Sequence, residues 1–186
     1  VLTESTADLT MALVLNCARR LSEGERLLRA KKFKGWKPKL LLGMELKDKT
    51  FGILGAGRIG SAVAKRAKSF GTNIIYVDSN RNQMLEKETK AKKVALRYLL
   101  KNSDILSVHL PLNSQTYHFL NQERLNRLKR NSILINTTRG EIVDEKALIR
   151  LLKSNKLMAV GLDVFENEPN VNPELLQFPN VLVLPH

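Results

Sequence analysis

The stretch "TFGILGAGRIGSAVAKRAKSFGTNIIYVDSN" (residues 50–80) decides the fold. "TFGIL" (50–54) is a short apolar run of strand length, and "NIIYV" (73–77) is a second. Between them, "RIGSAVAKRAKSF" (58–70) reads as a helix ended by Gly71. Strand, helix and strand in that order make a right-handed parallel crossover.

The turn inside this unit carries a second message. "GILGAGRIG" spaces Gly55, Gly57 and Gly60 as G-x-G-x-x-G, directly after a strand and at the mouth of a helix. Gly55 makes the tight turn, Gly57 lets the backbone approach a pyrophosphate, and Gly60 lets the helix pack closely on the sheet. Arg58 and Ile59 open that helix, whose N-terminus offers N–H groups and a positive dipole end to an anion. Asp78 ends the second strand, where a carboxylate accepts hydrogen bonds from ribose hydroxyls and repels a 2′-phosphate. The expected cofactor is therefore NAD rather than NADP, although Arg81 argues the other way. The competing account makes the glycines packing residues and Asp78 a helix cap.

The same alternation continues. "DILSVHL" (104–110), "SILIN" (132–136), "LMAVGLDV" (157–164) and "NVLVLP" (180–185) read as strands. "LRYLLKN" (96–102), "NQERLNRLK" (121–129) and "DEKALIRLLKSN" (144–155) read as helices. Asn121 and Asp144 are the expected N-caps, with Leu120/Leu125 and Val143/Leu148 as hydrophobic staples. Residues 5–33 read as one long helix, with cap oxygens at Ser5, Thr6 and Asp8 and a bend at Gly24. Residues 34–49 read as a connecting loop. The fold class is α/β: a doubly wound parallel sheet of the Rossmann type over 50–186, preceded by the helix of 1–33. The chain begins almost at a helix and stops just after a strand, the outline of a domain cut from a longer protein.

Composition narrows the function. The 186 residues are 43% hydrophobic and 26% charged, in the range of an ordinary globular domain. No apolar run approaches the roughly 18 residues of a membrane span. "MALVL" is too short for the core of a signal peptide. The single cysteine, Cys17, excludes an internal disulfide, fits a reducing cytoplasmic setting, and reads as packing. The net charge of +13 comes from 31 basic and 18 acidic residues. These are interspersed along helices rather than interleaved with aromatics. Only "LLRAKKFKGWKPK" (27–39) looks like a patch, so nucleic-acid binding is disfavoured against a Lys- and Glu-rich surface.

Three residues fall in turns after later strands: Arg139 after "ILINTT", Glu168 in "DVFENEP" and His186 after "VLVLP". In one parallel sheet all three would lie at the edge that holds a cofactor. The trio suits reduction of a 2-keto acid by hydride from a nicotinamide. His186 would protonate the carbonyl oxygen. Glu168 would orient the imidazole and favour its charged form. The Arg139 fork would bind the substrate carboxylate. Taken singly, each has a plainer reading, as a salt bridge, a solvated acid and a terminal side chain. His109 lines the cleft beside Pro111 in this reading, while His118 lies on the surface. Asp163, inside the apolar "VGLDVF", needs a donor such as a nicotinamide carboxamide or a backbone turn. No metal is expected.

Together these motifs resemble the D-isomer-specific 2-hydroxyacid dehydrogenases. The likeness rests on "TADLTMALVLNCARR", "GILGAGRIG" with "YVDSN", "VHLPL", "INTTRGEIVDEKAL", "GLDVFENEP" and "NVLVLPH". It implies that Arg139, Glu168 and His186 are catalytic, that Asp163 contacts the cofactor, and that Thr137 and Thr138 meet the nicotinamide side. It implies a second, substrate-binding domain whose parts are not in this sequence. It also makes the first helix a dimerisation arm, hence a homodimer. "GWKPKLLLGMEL" (35–46) resembles the segment of glyoxylate and hydroxypyruvate reductases. Phosphoglycerate dehydrogenase is the alternative activity, and an NAD-sensing corepressor that binds partner peptides is the alternative of another class.

Overall fold

The computed structural model describes residues 2–186. The apolar runs become strands β1 (Thr50–Leu54), β2 (Asn73–Val77), β3 (Lys92–Lys93), β4 (Ile105–Val108), β5 (Ile133–Asn136), β6 (Ala159–Leu162) and β7 (Val181–Val183). The helices are α1 (Thr3–Arg19), α2 (Leu21–Arg29), α3 (Arg58–Ser69), α4 (Gln83–Thr89), α5 (Leu96–Asn102), α6 (Gln122–Asn126) and α7 (Glu145–Lys153). The strands pair in the order β3-β2-β1-β4-β5-β6-β7. Every neighbouring pair is parallel.

Side-chain alternation along the strands divides the core in two. Phe51, Ile53, Ile105, Ile133 and Ile135 face the layer of α1, α3 and α4. Leu54, Leu106, Val108 and Leu134 face the layer of α5, α6 and α7. Both faces are covered, which is why β4 and β5 are buried at every position and largely apolar rather than alternating. The caps form as their sequence signals indicate. Asn121 Oδ1 accepts from Arg124 N–H at 3.0 Å, and Asp144 Oδ1 accepts from Ala147 N–H at 2.9 Å. The staple residues Leu120, Leu125, Val143 and Leu148 are all buried.

The reading of 5–33 as one helix is corrected. The helix breaks at Arg20, which is left-handed (φ 55°), and not at Gly24. Asn16 explains the break: its Oδ1 accepts from both the N–H and the Oγ of Ser22, capping α2 across the kink. Arg20 is held there by Glu23 through bonds of 2.9 and 2.7 Å. The expected cap oxygens are used differently, since α1 already starts at Thr3. Ser5 Oγ donates to Leu2 carbonyl, and Asp8 accepts from Arg66. Helix α1 is a core helix: Leu13 and Cys17 pack on Gly161 of β6 so closely that a Cβ there would sit 3.3 and 3.4 Å from them. Burial pushes the Cys17 thiol up to about 12, with Glu23 adding to it, so Cys17 is packing. Among the described residues no helix is long and apolar enough to cross a membrane.

These layers rank two substitutions. Leu134→Ala, in a strand buried on both faces, is expected to cost about 3 kcal/mol, and Asp144→Ala about 1 kcal/mol. Urea unfolding checks the order; a cap loss exceeding the core loss would contradict it.

Candidate active site

In an all-parallel sheet the strands' C-terminal ends share one edge, and the crevice opens where the winding direction reverses. Here the reversal lies between β1 and β4. The turn after β1 and the loop after β4 meet there: a Cβ on Gly55 would sit 2.7 Å from the His109 carbonyl oxygen. Gly55 also has φ 97°, which disfavours any other residue. A Cβ on Gly60 would sit 2.0 Å from the Gly55 carbonyl oxygen, so α3 packs directly on the turn it follows. Gly57 differs. A Cβ there meets nothing within 4 Å, and Gly57 borders a cleft of about 890 Å³. Space in front of a helix N-terminus, with no side chain filling it, fits a pyrophosphate.

Asp78, just after β2, anchors this turn. Its Oδ2 accepts from Ala56 N–H at 2.7 Å, and its Oδ1 accepts from Asn80 N–H and Ser79 Oγ, both at 3.2 Å. Arg81, the residue arguing for NADP, is engaged by Glu86 at 2.8 Å. Arg81 first, and then the Tyr76 hydroxyl, hold the Glu86 carboxyl below its usual range.

Arg58, Ile59, Gly60, His109, Pro111, Thr137, Thr138, Arg139, Asp163 and His186 all border the same cleft. Glu168 joins them through His186, whose Nδ1 lies 2.6 Å from Glu168 Oε2. The other carboxylate oxygen accepts from Phe165 N–H at 2.9 Å. Burial pushes the Glu168 carboxyl up, but the His186 and Phe165 hydrogen bonds and the charges of His186 and Arg139 outweigh it, and the net direction is down. Asp163 goes the other way: burial raises it, the His186 charge opposes, and Glu168 adds. Asp163 as a residue is 9% exposed, and its carboxylate takes no hydrogen bond from protein among the described residues.

Sequence reasoning missed the residues that hold these in place. Asn136 reads as a strand end, yet its buried side chain organises the Arg139 turn. Its Oδ1 accepts from Thr138 N–H and Oγ1, and its Nδ2 donates to Arg139 carbonyl. Thr10 of α1 bonds Thr137 through their hydroxyls at 2.9 Å. Leu2, Thr3, Thr6 and Leu9 bring the start of α1 to the cleft wall. A polar residue closing an apolar strand was the available signal for Asn136; nothing in the sequence pointed from α1 to Thr137. His118 is not a plain surface residue, since its Nε2 lies 2.9 Å from Glu166 Oε1. A separate groove of about 440 Å³ lies at the opposite edge, where β1 and β2 begin, and carries Lys68, Lys90, Lys92 and Lys129.

A glycine turn at the switch point of a parallel sheet, with an open helix N-terminus, defines a dinucleotide-binding domain of the Rossmann type. The family described as D-isomer specific 2-hydroxyacid dehydrogenase, NAD binding domain, matches residues 11–186. The chain belongs to this family. A glyoxylate reductase of Korarchaeum cryptofilum is 48% identical over 189 residues, covering 100% of this chain and 57% of that protein. The solved structure of the TT0316 protein from Thermus thermophilus superposes with a TM-score of 0.93 at 44% identity, over 100% of this chain and 58% of that one. A glyoxylate reductase structure from Paecilomyes thermophila gives 0.91 at 42% identity, over 100% and 55%. The chain thus spans a little over half the length of the relatives it matches.

His109 supplies a pH test of this geometry. Its Nε2 shares a hydrogen bond with Ser107 Oγ at 2.8 Å, and its Nδ1 is enclosed without a partner. Burial depresses it from 6.5 to about 3. The folded ring then stays neutral while the unfolded ring takes up a proton below pH 6.5. Its contribution is therefore present above that value and lost as pH falls toward 3, by at most about 1.4 kcal/mol per pH unit. The stability difference between wild type and His109→Asn should move against the wild type across pH 6 to 4.5, on the order of 1 kcal/mol per unit. A constant difference would contradict an enclosed imidazole.

Proposed function

We propose that this chain is the nucleotide-binding part of a reductase that transfers hydride between NAD(H) and a small 2-keto acid. The observation that carries the reading is the 2.6 Å contact between Glu168 and His186 in the cleft that Arg139 and the glycine turn share. NADH, when bound, supplies the hydride. Gly57, Arg58 and Ile59 hold the pyrophosphate with backbone N–H groups, and Asp78 takes the ribose hydroxyls. Thr137, Thr138 and Asp163 border the nicotinamide end, where the Asp163 carboxylate, facing the cleft without a protein donor, accepts the carboxamide N–H. Arg139 binds the substrate carboxylate through two parallel N–H donors. Glu168 accepts the Nδ1 proton of His186, which leaves Nε2 to deliver a proton to the carbonyl oxygen as negative charge develops. The lowered Glu168 carboxyl stays ionised for this task.

Glyoxylate or hydroxypyruvate is the proposed substrate, supported by the "GWKPKLLLGMEL" segment and by the glyoxylate reductases among its relatives. A homodimer is proposed through the α2 arm. Helix α2 buries none of its residues; its Leu21 and Leu28 stand exposed, as do Trp36 and Leu42 in the loop that follows.

Oxidation of NADH and NADPH by the intact gene product, with glyoxylate, hydroxypyruvate and phosphohydroxypyruvate, tests the reading. NADH oxidation with one acid is expected, with Arg139→Ala lowering kcat/KM roughly 10²- to 10³-fold. Tight NADH binding without turnover on any acid would point to a nucleotide-sensing binding protein. Gly57→Ala separates binding from folding: NADH affinity should fall at least about tenfold, with stability within about 0.5 kcal/mol of wild type. Unchanged affinity would remove Gly57 from the phosphate site.

A further inference from the structure

Two acidic residues outside the trio join the loops that carry Arg139 and Glu168. Glu145 N–H donates to Glu166 Oε1, and Glu166 N–H donates to Glu145 Oε1, each at 2.8 Å. Glu145 opens α7, just after the Arg139 turn; Glu166 stands two residues before Glu168. The exchange is reciprocal, so each side chain fixes the backbone of the opposite loop. It is also enclosed, with Glu145 only 6% exposed.

The loops touch closely at a second point. A Cβ on Gly140 would lie 1.9 Å from the Phe165 carbonyl carbon and 2.4 Å from the Glu166 nitrogen. Phe165 is the residue whose N–H holds Glu168 Oε1. The far side of the Arg139 loop is pinned as well. His118 N–H donates to Glu141 carbonyl at 2.7 Å, Leu120 N–H to Ile142 carbonyl at 2.9 Å, and Asp144 N–H to Leu120 carbonyl at 3.2 Å. His118 Nε2 also lies 2.9 Å from Glu166 Oε1, although not in hydrogen-bonding geometry.

We propose that Glu166 and Glu145 are positioning residues: their backbone exchange sets the Arg139 turn at a fixed distance from Glu168 and His186. The inference rests on the reductase reading for its kinetic consequence. Arg139 orients the acid, and the Glu168–His186 pair delivers the proton. These groups come from three different strand ends, and no hydrogen bond joins Arg139 to Glu168 or His186 among the described residues. Their separation is therefore set by what joins the loops. Only the acceptor oxygen and its reach are needed, not the charge.

Glu166→Gln and Glu166→Asp in the intact gene product divide these properties. The amide keeps reach and an acceptor oxygen but loses charge; the aspartate keeps charge but falls short. Glu166→Gln should retain kcat within about threefold, while Glu166→Asp should lose roughly 10- to 100-fold, with the NADH Kd of each changed less than about twofold. Equal losses in the two variants, or an aspartate variant within threefold of wild type, would overturn the proposal. Arg139→Ala, assayed beside them, reports on the reductase reading separately. Hydrogen exchange over 139–145 and 165–168 tests the brace without turnover. Faster exchange in both loops of Glu166→Asp supports it, and unchanged exchange overturns it.

Discussion

The contact between the turn after β1 and the loop after β4 is the constraint on which the rest depends. Gly55 must take a positive φ, and the His109 carbonyl leaves no room for a side chain there. Gly60 must be bare because α3 presses on the Gly55 carbonyl. Given these two approaches, α3 starts at the crevice with its first N–H groups free of intrahelical partners. The crevice then lies where the sheet reverses its winding, and the loops after β4, β5 and β6 open into it. Gly57, where a Cβ would meet open space, sits at its mouth.

Charge in the crevice is arranged by the order of strands rather than by local sequence. Arg139, Asp163 and His186 are far apart in the chain, yet they follow β5, β6 and β7, which are neighbours in the sheet. Two carboxyls in one region are driven in opposite directions. Glu168, bonded to His186 and to a backbone N–H, moves down; Asp163, buried without a protein donor, moves up. Two side chains of the same chemistry, a few residues apart, are thus separated by environment alone.

Much of the fold was legible because its parts agree. Strand lengths, glycine spacing, cap residues and staples each pointed to crossover units, and the largely apolar β4 and β5 fit a sheet buried on both faces. The meeting of Arg139, Glu168 and His186 at one sheet edge was legible because turns after parallel strands share that edge. What stayed hidden was non-local. The kink at Arg20 has neither Gly nor Pro to announce it; it follows from Asn16 capping a helix six residues on. Strand β3 is two lysines with no apolar period and forms only because β2 pairs with it. Asn136 and the Glu145–Glu166 exchange act through backbone groups of other loops, which no spacing within a single segment encodes.

The central claim is that cofactor and keto acid meet at this one edge of the sheet. A crystal structure of the protein with NADH and oxamate, an unreactive analogue of a 2-keto acid, tests it most directly. The account predicts the pyrophosphate over Gly57 and the start of α3, with the oxamate carboxylate on the Arg139 guanidinium. A nucleotide seated instead on the lysine groove at the opposite edge, or an oxamate away from Arg139, would contradict it.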